Sequence, residues 1–269
     1  MSALAEGGED AKVLAGGQSL IPLLSLRLAY PSVLIDVNRV DELASIERVD
    51  GSLRVGAMVR HRTAERSKEV RAAVPLISEA MPFIGHVAIR SRGTIGGSIA
   101  HADPAAELPA VALALGAMIT ARSAPRGERT IAAADFFQGY FTTVLEPDEI
   151  LISIDFPVLG ENTGVAVEEV ARRHGDFAMV GAVAAVTKGG RGDVADARIA
   201  LINVAERPVR APEAEQALVG GASIEDAAAM AAADLDPSGD LHASPAYRKK
   251  VAGVCVKRAL ARAMEGASK

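Results

Sequence analysis

Apolar and polar residues alternate most clearly along Glu149-Ile150-Leu151-Ile152-Ser153-Ile154-Asp155, a period of two that predicts a strand, ended by Pro157. Shorter apolar runs at 12–15, 33–37 and 53–57 predict three earlier strands bounded by turn residues. Helical spacing takes over at 20–28, with a start near Pro22. It returns at 63–80, where Ala64, Val70, Val74 and Ile77 face inward and His61 lies just ahead. A further apolar helix is predicted at 108–115, with Pro109 in its first turn. Strands at 117–121 and 129–132 then form a hairpin through Pro125-Arg126-Gly127.

The segment 160–164 carries two glycines and reads as a linker. It divides the chain into 1–160 and 161–269, the first part splitting into α/β subdomains of about 1–57 and 58–160. Beyond it, strands at 165–171, 182–187 and 197–204 precede alanine-rich helices, which predicts an α+β domain. Ser244-Pro245 is a cap and first-turn pair for the last helix. Tyr247, Val251, Val254 and Cys255 fall on one of its faces, which makes Cys255 a core residue.

Composition narrows the functions open to such a fold. At 269 residues with a net charge of -5 and 3% aromatic residues without Trp, the chain lacks both the basic surface and the stacking platforms of a nucleic-acid binder. Cys255 is the only cysteine, so an internal disulfide is excluded, and an iron–sulfur cluster or thiolate zinc must sit on another chain. No secretory leader and no bilayer-length apolar run is evident, and a cytoplasmic location is expected.

The candidate chemistry lies in two glycine pairs. Ala15-Gly16-Gly17-Gln18-Ser19 follows a predicted strand and precedes a helix, and Thr94-Ile95-Gly96-Gly97-Ser98 lies in a loop at 92–104. Paired glycines mark ordinary tight turns, and they also let a backbone approach an anion and present N–H donors to it. Two such loops are suited to gripping one diphosphate. Gly190-Arg191-Gly192-Asp193-Val194-Ala195 matches a dinucleotide fingerprint, but strand-like alternation follows it, so it reads as a hairpin turn. No Walker-type lysine follows either glycine pair, the five histidines show no metal-binding spacing, and no hydrolase nucleophile elbow is present. His101, Asp103 and Glu107 lie in or just after the second loop, where capping and ligand binding are both open to the carboxylates. Arg172-Arg173-His174-Gly175-Asp176-Phe177 reads as a polar turn ending on an aromatic that could close over a flat ring at the domain junction.

Five stretches in order carry a resemblance that no single one would: residues 13–22, 94–98, 135–140 (Asp-Phe-Phe-Gln-Gly-Tyr), 149–151 and 172–177. Together they resemble the FAD-binding medium subunits of the molybdenum hydroxylases, above all the carbon monoxide dehydrogenase medium chain and its aldehyde- and heterocycle-oxidising relatives. The resemblance implies a p-cresol methylhydroxylase/vanillyl-alcohol oxidase-type FAD-binding domain of two α/β subdomains, followed by a C-terminal domain of a small antiparallel sheet and helices. It also implies which residues hold FAD. These are Val13, Leu14, Ala15, Gly16, Gly17, Gln18, Ser19 and Leu20 in the first loop, and Thr94, Ile95, Gly96, Gly97 and Ser98 in the second, acting mostly through backbone N–H groups. Glu107 binds through its side chain, Leu151 through its backbone, and Phe177 lies beside the isoalloxazine ring. Relatives often carry a tyrosine at that last position, so a hydroxyl is missing here. Relatives also carry another strand and helix ahead of the first glycine loop.

The expected role is therefore an electron-transfer subunit with no catalytic side chain and no metal of its own. Its expected partners are a small [2Fe-2S] subunit and a large molybdopterin subunit, in a dimer of heterotrimers. Its expected electron acceptor is NAD or a quinone. The alternatives are a self-sufficient FAD-dependent oxidase or dehydrogenase of the same broad fold, and a non-catalytic nucleotide-binding or assembly module.

Overall fold

The computed structural model describes residues 1–267, and its first unit is small. After α1 (Ser2–Gly7) come β1 (Ala11–Leu14), α2 (Leu20–Ser25) and β2 (Val33–Asp36). The two strands pair in parallel, Ala11 opposite Val33 through Leu14 opposite Asp36, so the chain must cross over between them. The first glycine loop and α2 make that crossover.

A hairpin then opens the second unit. β3 (Ile46–Val49) and β4 (Ser52–Gly56) turn through Asp50-Gly51, both at positive φ, the conformation that Asp-Gly turns between strands adopt. β3 has no counterpart among the predicted strands, because only its turn is distinctive in the sequence. The helical stretch expected at 63–80 is three helices: α3 (His61–Arg66), α4 (Lys68–Ala73) and α5 (Pro75–Ala80). Ser67 breaks the first junction, its hydroxyl accepting the Val70 N–H at 3.2 Å. Pro75 breaks the second by holding Val74 out of the helical region. His61 is the first residue of α3 and does not lie ahead of it.

The segment at 92–104 is likewise not a plain loop. After the one-turn α6 (Val87–Arg90), Thr94 caps α7 (Ile95–His101), whose first turn contains both glycines and which ends on Ala102 at φ 52°. Low glycine helix propensity hides this element from a reading of the sequence. There follow α8 (Glu107–Leu115), β5 (Met118–Ser123), β6 (Gly127–Ala132), α9 (Ala133–Phe136), β7 (Phe137–Gly139), β8 (Thr142–Thr143) and β9 (Glu149–Pro157). The order β3-β4-β9-β5-β6 makes an antiparallel five-stranded sheet.

The C-terminal part consists of β10 (Thr163–Val170), β11 (Val180–Lys188), β12 (Val194–Ile202), β13 (Val209–Arg210), α10 (Pro212–Val219), α11 (Ile224–Ala233) and α12 (Pro245–Gly266). Its four strands form an antiparallel sheet in sequence order, and the glycines at 189–192 close the β11–β12 hairpin. The strands alternate in what they face. Val167, Val183, Ala185, Ala200 and Ile202 join the core of the preceding part, while Ala166, Ala182, Ala184, Val186, Ile199 and Leu201 pack with Cys255, Val256 and Leu260 of α12. All nine residues of α8 are buried, since this helix meets the C-terminal sheet on one side and the first part's core on the other.

Candidate functional site

The two glycine loops meet backbone to backbone. A Cβ built on Gly16 would lie 2.2 Å from the Arg92 carbonyl oxygen, and one on Gly96 2.5 Å from the Ala57 Cβ, so neither position has room for a side chain. Gly17 adopts φ +73°, which turns the chain from β1 into α2. The backbone N–H groups of Gly16, Gly17, Gln18 and Ser19 meet no acceptor among the described residues. Such a consecutive set of unmet donors is an anion cradle. Val13 and Leu14 lie at the end of β1 leading into it, Ala15 within it, and Leu20 starts α2.

The second loop is different. The Ile95 N–H donates to Val59 O at 2.9 Å, Gly96 to Ala57 O at 2.9 Å, Gly97 to the Thr94 hydroxyl at 3.0 Å, and Ser98 to Thr94 O at 3.1 Å. The amides of Ile95, Gly96, Gly97 and Ser98 are thus engaged within the protein, unlike those of the first loop, whereas the Thr94 N–H meets no acceptor among the described residues. What Thr94–Ser98 contributes is a side-chain-free wall: Gly97 lies where a Cβ would be 3.8 Å from the Ala15 Cβ.

Polar side chains fasten these loops together. The Asn38 amide donates to Ala15 O at 2.8 Å, Arg60 Nη2 donates to Asn38 Oδ1 at 2.7 Å, and Arg60 Nη1 donates to Arg92 O. His61 is buried, with its backbone N–H on Gly93 O at 3.0 Å and its Nε2 2.9 Å from Thr94 O. The carbonyl accepts, so Nε2 carries the proton. Burial pushes the His61 pKa down to about 4, against the Thr94 hydrogen bond that favours the charged form, and Nδ1 is left buried without a partner.

Glu107 is the first residue of α8 and is buried. Burial foremost, then the carboxylates of Glu169 and Asp103, push its pKa up to about 8. Glu169 on β10 is pushed up to about 7 by burial, with Oε2 enclosed and unpartnered. Asp103 instead accepts the Ala105 N–H at 2.9 Å and shapes the turn, and the His101 ring lies 5.1 Å from that of Phe141. Leu151 is buried on β9, next to Ile152, whose carbonyl accepts the N–H of Ala57 at 2.9 Å, the residue under Gly96. Phe177 is 66% exposed in the turn between β10 and β11. That turn is held by Asn203, whose N–H donates to Pro104 O at 2.8 Å and whose amide donates to Ala178 O at 2.7 Å. Buried Arg248 in turn donates to Met179 O and Asn203 O.

Asn203 therefore ties the Phe177 turn to the segment between the second glycine loop and Glu107. Sequence reasoning finds the loops, Glu107 and Phe177, but misses Asn38, Arg60, Glu169, Asn203 and Arg248. These are single polar residues without motif spacing; the nearest to a signal is Asn203 following a strand, a residue type that tolerates its φ of 58°. Among the described residues, no group of three His, Cys, Asp or Glu is placed to hold a metal ion, and no helix is long and apolar enough to cross a membrane.

An anion cradle facing a close-packed second glycine wall, with a buried carboxyl and an exposed aromatic nearby, suits a dinucleotide cofactor carrying a flat ring. Comparison with known proteins is consistent with this. Residues 1–159 match the family described as the FAD binding domain in molybdopterin dehydrogenase, and residues 165–263 the CO dehydrogenase flavoprotein C-terminal domain. The 6-hydroxypseudooxynicotine dehydrogenase complex subunit alpha of Paenarthrobacter nicotinovorans is 44% identical over 268 residues, covering 98% of this chain and 90% of that one. The carbon monoxide dehydrogenase medium chain of Hydrogenophaga pseudoflava is 39% identical over 96% of this chain and 90% of its own length. Among solved structures, a carbon monoxide dehydrogenase from Hydrogenophaga pseudoflava superposes with a TM-score of 0.95 at 40% identity, covering 98% of this chain and 93% of that one. Quinoline 2-oxidoreductase from Pseudomonas putida 86 gives 0.94 at 39%, covering all of this chain and 94% of that one. The chain belongs to the FAD-binding medium subunits of the molybdenum hydroxylases, an oxidoreductase flavoprotein family.

Proposed function

We propose that this chain relays electrons through FAD from a small iron–sulfur subunit to NAD or a quinone, while a large molybdopterin subunit oxidises the substrate. When bound, FAD supplies the exchange between a one-electron donor and a two-electron acceptor. The chain's own residues bind and orient it. Gly16 to Ser19 hold the diphosphate through their unmet N–H groups, Gly96 and Gly97 close the opposite wall, and Glu107 meets a cofactor hydroxyl. Leu151 contacts it through its backbone, and Phe177 lies beside the ring.

The observation that carries this reading is the run of unsatisfied amides pressed against a second glycine segment. The division of labour is supported by the lone cysteine, which is buried among apolar residues of α12 and β11 and cannot form a cluster site. Expressing the full chain with and without its partner subunits tests it. The expected result is a yellow protein containing FAD whose flavin is reduced by substrate only in the assembled complex. Rapid flavin reduction by substrate in the isolated chain would overturn the relay.

A further inference from the structure

We propose that Arg60 locks the two glycine loops into one diphosphate-binding unit and supplies the positive charge beside it, a role that rests on the FAD reading above. Arg60 immediately precedes α3 in an extended conformation, and its backbone forms an isolated antiparallel bridge with Thr94. Its main chain is therefore fixed by the second loop. Its side chain reaches the first: Nη2 donates to Asn38 Oδ1 at 2.7 Å, and the Asn38 amide donates to Ala15 O at 2.8 Å. The other arm, Nη1, holds the Arg92 carbonyl, against which Gly16 is packed.

This arrangement also sets the direction of a donor. In a trans peptide the C=O and the following N–H point opposite ways, so fixing the Ala15 carbonyl on Asn38 turns the Gly16 N–H away from Asn38, toward the unmet side of the loop. The charge is also only partly balanced, by Asp36 from beyond ion-pair distance. Arg60 has no carboxylate within ion-pair distance among the described residues, whereas Arg54, Arg62, Arg90 and Arg129 each have one. The nearby acid, Asp36, is engaged by the Asn38 backbone N–H at 2.9 Å and the Asn38 amide at 2.5 Å. Arg92 lacks an ion pair too, among the described residues, and repels Arg60, so two guanidinium groups without a carboxylate in contact stand at a junction of loops that carries a set of unmet amides. Both deficits are met by one anion.

Titrating the flavin-free full chain with FAD over a range of salt concentrations, followed by quenching of flavin fluorescence, tests the assignment. Arg60→Met is expected to weaken FAD binding about 10- to 100-fold, as loss of charge-assisted contacts does, and to flatten the dependence of affinity on salt. Arg60→Lys, which keeps the charge but not the fork, recovers the salt dependence and only part of the affinity. Asn38→Leu, which breaks the bridge and keeps the charge, weakens binding and leaves the salt dependence intact. Riboflavin, having no phosphate, binds all variants alike. Folded Arg60→Met with the affinity and salt dependence of the parent chain overturns the assignment, as does a loss of affinity with an unchanged salt dependence. Should Arg60→Met not fold, unchanged FAD affinity in Asn38→Leu overturns it. A parent chain that takes up no FAD sinks the cofactor reading itself, a result distinct from variants that bind as the parent does.

Discussion

Gly16 lies against the Arg92 carbonyl so closely that a Cβ at position 16 would sit 2.2 Å from the oxygen, with the Gly93 Cα at 2.9 Å. Backbone, unlike a flexible side chain, has nowhere to go. Gly16→Ala is therefore expected to push the two loops apart, destabilising the chain by about 1–3 kcal/mol as overpacking does, and to abolish FAD retention. Gly51→Ala, at a turn with open space around it, is the control: it is strained by its φ of +80° but leaves flavin content unchanged. Flavin absorbance per protein after gel filtration, with thermal melts, reads both.

Glu107 and Glu169 make stability depend on pH from the alkaline side. The folded chain keeps the Glu107 proton up to about pH 8 and the Glu169 proton up to about pH 7, whereas the unfolded chain releases both near 4.5. The native state binds more protons across that window, so stability falls as pH rises through it. Glu107→Gln is expected to flatten the fall and, at about pH 9, to make the flavin-free chain more stable than the parent by about 1–3 kcal/mol. Denaturant melts of parent and variant at about pH 6 and about pH 9 check the sign.

His61 acts in the opposite direction and lower. Its folded pKa of about 4 lies below the 6.5 of the unfolded chain, so the unfolded state binds the extra proton between these values. Its stabilisation is complete above about pH 6.5 and is lost as pH falls toward 4. His61→Gln can still donate to Thr94 O without titrating. Its stability is expected to change less than the parent's between about pH 7 and about pH 4, and an equal change in both would remove His61 as the cause.

Phe177 is exposed, so Phe177→Tyr is expected to change stability by less than about 0.5 kcal/mol. The added hydroxyl is expected to shift the visible absorption of bound flavin. Superimposable spectra would place Phe177 away from the ring.

Asn203 combines a left-handed backbone with bonds to two separate segments. Asn203→Ala loses both the tolerance of positive φ and the bond to Ala178, an expected cost of about 2 kcal/mol, and Asn203→Gly recovers the backbone part alone. Proteolysis within 171–179 should quicken in both variants, since both lose the Ala178 bond; unchanged cleavage would mean that Asn203 does not hold the turn.

How much of this was legible depended on whether local pattern or distant contact decided the outcome. Alternation at Glu149–Pro157 and the capped start of Pro245–Gly266 are local, and both elements stand where the pattern puts them. Ser67 and Pro75 are equally local signals, yet a continuous apolar rhythm through 63–80 masks the two breaks they impose. Helix α7 is hidden because Gly96 serves close approach to Ala57, a contact that no window of sequence contains. The same holds for the candidate site. Its glycines have a spacing that can be read, whereas Asn38, Arg60 and Asn203 work through partners 22 to 32 positions away in the first two cases and through Pro104 and Ala178 in the third.

Helix α8 begins at Glu107 in the candidate site and ends at Leu115, whose carbonyl accepts from Arg198 of the C-terminal sheet at 2.9 Å. Buried on every side, it belongs to both halves of the chain at once. Severing the chain near Gly160 would leave each half with a raw apolar face where the other had been, so the two fragments would have to be made together to remain dispersed in solution. Exchanging only the C-terminal half with that of a relative would succeed to the extent that the donor sheet fits the knobs of this one helix, which makes α8 the joint at which hybrid medium subunits would be matched or rejected.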